Sequence, residues 1–332
     1  MKKPRILVVG SMNMDLCMSM TRFPQSGETV LGGVFSTAAG GKGANQAVQA
    51  ARLGAEVTMA GKVGDDSFGR ELTASAEGAG IDTGRVLVSP DKATGTAAIL
   101  LEVEEGKKSR NRIIVAPGAN MDITPGDLEW LREGVAQFDM LMLQLEIPME
   151  INELAAEYAC AKGVPVMLNS APSAPLSDRL LSCLAYISPN EHEAADLTGI
   201  KIRREEGGVN QDDLQAAVKA LQARGVENVI ITLGSAGAVV AGEGDFYYCP
   251  AVDVVEVKDP TAAGDSFVGA FCAGICAGLD RRQALDFASY TATLTVSKVG
   301  AQPSLPTLEE VLSLMKREKF DGFDLKLLEP LK

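Results

Sequence analysis

The stretch "RILVVGSMNMDLCMSM", residues 5–20, joins two kinds of strand. Residues 5–10, "RILVVG", form a nearly continuous apolar run, as a strand buried on both faces requires. From residue 11 the pattern switches to strict alternation. Met12, Met14, Leu16, Met18 and Met20 share one face, and Asn13, Asp15, Cys17 and Ser19 share the other. Further apolar runs at 57–64, 140–146, 165–172, 186–190 and 228–234 read as core strands. Between them, 43–54, 149–163 and 211–225 have helical spacing, and each closes on Gly. This alternation predicts an α/β fold, a mostly parallel sheet with helices on both faces. "TAAILLEV" (96–103) and "RIIVA" (112–116) flank the charged "EEGKKSRN" and read as an antiparallel hairpin. With the strand at 11–20 they predict a small β flap on the core; the alternative is an edge extension of the main sheet. "REEGGVNQ" (204–211) reads as a polar loop.

The 332 residues suffice for two ordinary domains or one large α/β domain. A net charge of −13 argues against a broad basic surface for nucleic acid or anionic membrane. No apolar run reaches spanning length and the N-terminus lacks a secretory core, so the expected location is the cytoplasm. None of the six Cys forms C-x-x-C. Cys272 and Cys276, one helical turn apart, could hold a soft metal, but small apolar packing is the favoured reading. His192 is the only histidine. Its solitude removes His-based triads and multi-His zinc sites, and leaves proton transfer to carboxylates, Lys, Tyr, Cys or water.

Several stretches could carry chemistry. Asn13 and Asp15 lie roughly 7 Å apart on one strand face. Together they can donate and accept hydrogen bonds to neighbouring sugar hydroxyls, or merely face solvent. "AAGGKGANQA" (38–47) is not a Walker A loop, because Gly43 follows Lys42; no G-x-G-x-x-G occurs, which disfavours a dinucleotide site. Its glycines let a ligand approach the backbone, with Lys42 and Asn45 adding polar contacts; a tight turn explains it equally well. Glu146 and Asn169 end apolar strands, and Asn190 and Glu193 stand at another strand-to-helix junction, where open α/β sheets bind ligands. Glu193 is either half of a capping pair or a contact to Mg²⁺ or its waters. "TLGSAGAVV" (232–240) either supports a nucleotide or is a hairpin turn. In "KDPTAAGDSFVGAF" (258–271), Ala262, Ala263 and Gly264 lead into a helix start whose N–H groups attract anions. Asp265 stands there, either to take a proton from an attacking hydroxyl or to cap the helix.

"GGKGANQA" and "DPTAAGDSF", in this order and spacing, resemble the two signatures of the PfkB-type (ribokinase family) sugar kinases. "GSMNMD", "FPQSGET", "LQLE", "PNEHEA", "ITLGS" and "GAQPS" extend the resemblance along nearly the whole chain, while Ser170, Ala236 and Pro260 depart from the pattern. The resemblance implies a ribokinase-like three-layer α/β sandwich with a mostly parallel central sheet and a β-sheet lid. The expected division is a core at 1–10, 39–95 and 117–315, a lid at 11–38 and 96–116, and a C-terminal tail at 316–332. The implied reaction moves the γ-phosphoryl group of ATP, carried with Mg²⁺, to O5 of D-ribose; deoxyribose, fructose or a nucleoside are the alternative acceptors. Asn13, Asp15, Gly41, Lys42, Asn45 and Glu146 would hold the sugar. Asp265 would be the general base, with Gly264, Ala263 and Ala262 forming an anion hole. Asn190, Glu193, Thr232, Gly234 and Gly237 would line the nucleotide site. Asp259, Thr261, Val296, Lys298, Gly300 and Ser304 would surround an activating K⁺, several through carbonyls. The Met face of the strand at 11–20 needs burial, and a second lid in a homodimer would supply it.

Overall fold

The computed structural model describes residues 2–103, 110–206 and 208–332. The strands are β1 (Arg5–Val9), β2 (Asn13–Met20), β3 (Phe35–Gly40), β4 (Glu56–Gly64), β5 (Asp82–Ser89), β6 (Gly95–Glu102), β7 (Arg110–Ala116), β8 (Met140–Gln144), β9 (Val166–Asn169), β10 (Tyr186–Ile187), β11 (Arg204–Glu205), β12 (Gly208–Val209), β13 (Asn228–Thr232), β14 (Ala238–Gly242) and β15 (Asp245–Cys249). The helices are α1 (Lys42–Arg52), α2 (Ser67–Gly78), α3 (Leu131–Gly134), α4 (Met149–Ala161), α5 (Asp178–Leu181), α6 (Glu191–Thr198), α7 (Gln211–Gln222), α8 (Ala263–Ala277), α9 (Arg281–Val296) and α10 (Leu308–Arg317).

Nine strands form the central sheet in the order β15-β14-β13-β10-β9-β8-β1-β4-β5. From β13 to β5 every pairing is parallel; β14 and β15 add an antiparallel edge. Alternation along β1 divides the core. Ile6 and Val8 pack with residues of α1, α8, α9 and α10, whereas Leu7 and Val9 pack with residues of α4 and α7. Fully burying one such side chain contributes roughly 1.5–3 kcal/mol, so helices are retained on both faces. Cys272 is fully buried in this packing, and all six thiols are free.

The flap is a separate four-stranded sheet, β3-β2-β6-β7, not an extension of the main sheet. β6 and β7 form the expected antiparallel hairpin; residues 104–109 of its turn lie outside the described residues. This sheet reaches Gly40 and starts again at Gly95, slightly beyond the expected lid limits.

Three readings change. The Met face of β2 is mostly buried by the chain itself: Met12 and Met14 are fully buried, Met20 is 8% exposed, and only Met18, at 41%, faces solvent. The polar segment 204–211 holds a small antiparallel ladder, β11–β12. The C-terminal segment, expected as a tail, packs on the core: Phe323, Leu328 and Leu331 join it, and the Phe320 ring meets Tyr290 and Phe323 edge-on at 5.3 and 5.1 Å.

Candidate active site

In the sheet β1 lies between β4 and β8, so the chain departs to both sides of it. The carboxyl ends of strands at such a reversal leave a crevice where ligands bind. Ser11 follows β1 and Glu146 follows β8, and Ser11 Oγ donates to Glu146 Oε2 at 2.5 Å. The same oxygen accepts from the Lys42 backbone N–H at 3.0 Å and from Asn13 Nδ2 at 3.5 Å. A carboxylate at the first N–H of α1 also meets the positive end of the helix dipole. One acidic group therefore ties β1, β2, β8 and α1 together. The glycine before α1 is dictated by this crowding. Gly41 has φ 89°, and a Cβ there would lie 2.7 Å from the Asn13 nitrogen.

Asp265 is buried and does not cap α8, whose start at Ala262 has no side-chain cap. Its carboxylate instead reaches α1, accepting from Asn45 Nδ2 at 2.9 Å and Gln46 Nε2 at 3.1 Å. The capping alternative is therefore set aside. Ala262 holds a left-handed conformation at φ 59°, uncommon for a residue with a Cβ. The Ala263 N–H donates to the Pro260 carbonyl at 3.2 Å. Among the described residues, the N–H groups of Gly264 and Asp265 have no acceptor, and a Cβ at Gly264 would meet nothing within 4 Å. The helix start thus presents unsatisfied donors to open space, as an anion site does.

The remaining expected residues form two groups. Asn190 caps α6 through a reciprocal pair with Glu193, so the capping alternative for Glu193 is realised. An isolated bridge sets Asn190 beside Thr232, and Gly234 and Gly237 follow in the tight β13–β14 turn, both at positive φ. In the other group, Asp259 accepts from Thr261 N at 2.9 Å, Thr261 Oγ1 at 2.6 Å and Gly300 N at 2.8 Å. The Val296 carbonyl accepts from the N–H groups of Lys258 and Asp259. Ser304 is buried and donates to Ala301 O; the Lys298 ammonium pairs with Glu310 at 2.6 Å, leaving Lys298 only its carbonyl for an ion here.

Charge is concentrated in the crevice. Burial, then the nearby charges of Glu146 and Asp265, push Asp15 from 3.8 up to about 7. Burial also raises Glu193, and although burial works against the Lys42 ammonium, Asp265, Glu146 and Glu193 together leave it raised. The Asp15 shift has a consequence for stability. Folded Asp15 keeps its proton to about pH 7, whereas the unfolded chain releases it near 3.8. Across that window the native state binds more protons, so this group's contribution makes stability fall as pH rises. Asp15→Asn is expected to flatten that slope, raising Tm by about 2–4 °C at pH 8 and leaving it unchanged near pH 4. Differential scanning fluorimetry across pH measures this; identical slopes in both proteins would remove Asp15 as the cause.

Ser11, Gln46, Asn120 and Gln144 also belong to the site and are not apparent from sequence spacing. Asn120, fully buried, accepts from Met12 N at 2.9 Å and donates to Asn13 Oδ1 at 2.7 Å, pinning the base of β2. Its signal would have been a polar residue in the "PGAN" turn (117–120) directly after the hairpin.

The pfkB family carbohydrate kinase pattern matches residues 3–308. Ribokinase of Schizosaccharomyces pombe is 39% identical over 313 residues, covering 92% of this chain and 96% of the relative. Ribokinase of Haemophilus influenzae is 38% identical over 311 residues, covering 94% and 98%. The structure of Arabidopsis thaliana ribokinase complexed with ribose and ATP superposes with a TM-score of 0.84 at 33% identity, covering 95% of this chain and 99% of that one. With its parallel core, its separate small sheet and an acidic crevice between them, this chain belongs to the pfkB family of carbohydrate kinases.

Proposed function

We propose that this protein is an ATP-dependent kinase that converts D-ribose to D-ribose 5-phosphate. The carrying observation is the buried Asp265 carboxylate, held by two carboxamides of α1 at a helix start with unsatisfied N–H groups. The ribokinase relatives and the ribose- and ATP-bound likeness support the choice of substrates. We divide the chain into the core (1–10, 39–95 and 117–315), the lid (11–38 and 96–116) and the C-terminal segment (316–332).

Asn13, Asp15, Gly41, Lys42, Asn45 and Glu146 bind the sugar, offering donors and acceptors to adjacent hydroxyls. Asp265 takes the O5 proton as the new O5–P bond forms. The bond from the γ-phosphorus to its bridging oxygen breaks, and ADP leaves. Backbone N–H groups at Ala262, Ala263 and Gly264 face the charge on the transferred group; Gly264 is the best placed, because the Ala263 N–H is already engaged. Asn190, Glu193, Thr232, Gly234 and Gly237 line the nucleotide. Mg²⁺ supplies charge neutralisation on the phosphates. Both Glu193 oxygens are engaged by Asn190, which suits contact through the ion's waters.

The second cluster fits a monovalent cation. Among the described residues Asp259 has no ion-pair partner, and its bonds to Thr261 and Gly300 draw the two segments together. Asp259, Thr261, Val296, Lys298, Gly300 and Ser304 would hold K⁺, which stiffens the anion-hole turn without taking part in bond changes.

The lid also supports a homodimer. Phe35 and Ile114, 59% and 67% exposed, share the Met18 face of the small sheet, a face better covered than left in water. Sedimentation at micromolar protein is expected to give a dimer; monomer alone would remove it. No helix among the described residues is long and apolar enough to cross a membrane, and with the free thiols this supports a cytoplasmic location.

The test of the function is a coupled ADP-release assay with ribose, deoxyribose, fructose and adenosine. A hydroxyl contact left unmade strands a buried polar group at about 1–3 kcal/mol, or roughly 5- to 150-fold in kcat/KM. Ribose is expected to lead by at least that margin. Equal kcat/KM for fructose or adenosine would overturn the substrate assignment.

A further inference from the structure

Beyond holding the Asp265 carboxylate, Gln46 has no chemical role in the reading above, yet it is fully buried beside the proposed base. Its Nε2 donates to Asp265 Oδ1 and to Asn169 Oδ1, both at 3.1 Å. Its Oε1 accepts from Gln144 Nε2 at 2.7 Å. Asn169 Nδ2 in turn donates to the Ser188 carbonyl at 2.8 Å. Asn169, its Nδ2 held by the Ser188 carbonyl, turns Oδ1 toward Gln46, and the Asp265 carboxylate only accepts, so Gln46 must turn Nε2 toward both. Gln144, whose Oε1 has no partner among the described residues, follows the sense of Gln46. Gln144 and Asn169 are register partners at the ends of β8 and β9, so the sheet itself sets the orientation. Room for Gln144 exists because residue 10 is Gly: a Cβ there would lie 2.1 Å from Gln144 Oε1.

We propose that Gln46, oriented by Asn169, is the positioning residue of the base. This rests on Asp265 having that role. Gln46 engages Oδ1 and Asn45, a member of the proposed sugar set, engages Oδ2, so the substrate proton goes to Oδ2. An N–H donated to a carboxylate favours its charged form, which a base must hold before the hydroxyl arrives. The charged groups facing Asp265 are Lys42 from α1, Asp15 from β2 and Glu193 from α6. Among the described residues none of these hydrogen bonds to it; only Asn45 and Gln46 do. A peg that merely joins α1 to α8 would add stability without touching the protonation of the base.

The test is steady-state kinetics of the full chain against pH with Gln46→Met and Asn169→Leu. Gln46→Met is expected to lower kcat about 10–100-fold, the loss of one hydrogen bond to a charged group. KM for ribose should stay within about threefold, while the acid limb of the kcat profile moves to higher pH. Asn169→Leu, which removes the acceptor that holds Gln46 Nε2 beside Asp265, should show the same displacement at smaller size. A folded Gln46→Met with wild-type kcat, or a lower kcat with an unmoved acid limb, overturns the proposal. If Gln46→Met does not fold, Asn169→Leu decides alone, and an unchanged limb there is equally fatal. The reading beneath fails separately: inactive wild type, or full kcat in Asp265→Asn, refutes the base and not just its support.

Discussion

Asp265→Asn is expected to lower kcat by about 10²–10⁴-fold, the usual contribution of a general base. Ribose affinity measured by calorimetry should change only severalfold. The substitution keeps the shape of the side chain but removes the proton acceptor. In this structure it also disturbs a defined pair of bonds, because both carboxylate oxygens accept, one from Asn45 and one from Gln46. A carboxamide satisfies only one of these donors and turns its own N–H₂ toward the other, at a cost of about 1–3 kcal/mol. Some loss of Tm is therefore expected alongside the loss of rate. The two effects separate by comparison with Asn45→Ala, which removes a partner but leaves the carboxylate. If Asp265→Asn turns over near the wild-type rate, Asp265 is only a structural link between α1 and α8.

Replacing K⁺ by tetramethylammonium at equal ionic strength should lower initial rates by about tenfold or more, the equivalent of ~1.4 kcal/mol in the barrier. Asp259 lies ahead of the helix start that leaves the Gly264 and Asp265 N–H groups without an acceptor among the described residues, with Gly300 N tied to its other oxygen at 2.8 Å. A carboxylate beside ATP phosphates is unfavourable unless neutralised. Lys258 is adjacent in sequence, but its backbone N–H donates to Val296 O and it forms no ion pair with Asp259 among the described residues. A bound monovalent ion would cancel the charge and stiffen the turn; a bulky quaternary ion cannot enter. Restoration by K⁺ and not by Na⁺ would fit the proposed site, in which several ligands would be carbonyl oxygens. Rates indifferent to the substitution would remove the cation from this cluster.

The α/β architecture was legible in the sequence, because strand burial leaves a local trace. β1 is apolar at nearly every position since both faces are covered, and β2 alternates in the half-exposed lid sheet. The glycine run before α1 and the small residues before α8 were legible for a similar reason: crowded backbone at Gly41 and open backbone at Gly264 both call for residues without bulk. Other features depended on contacts between distant segments. Alternation alone left the Met face of β2 looking bare, whereas Met12 and Met14 are buried by the chain's own core. The acid at 265 had two local readings, base or cap, and only packing of α8 against α1 turned it toward Asn45 and Gln46. Gln46 and Gln144 carried no signal, and Asn120 only that of a polar turn residue, because a buried carboxamide is recognised by its partners, here up to 219 residues away in the chain. Periodicity and glycine placement act through neighbours in sequence, so the sequence determined the layers and the ligand-facing turns. Hydrogen-bond satisfaction of buried polar groups acts through space, so only the tertiary structure decided how the acidic residues are shared, held and charged.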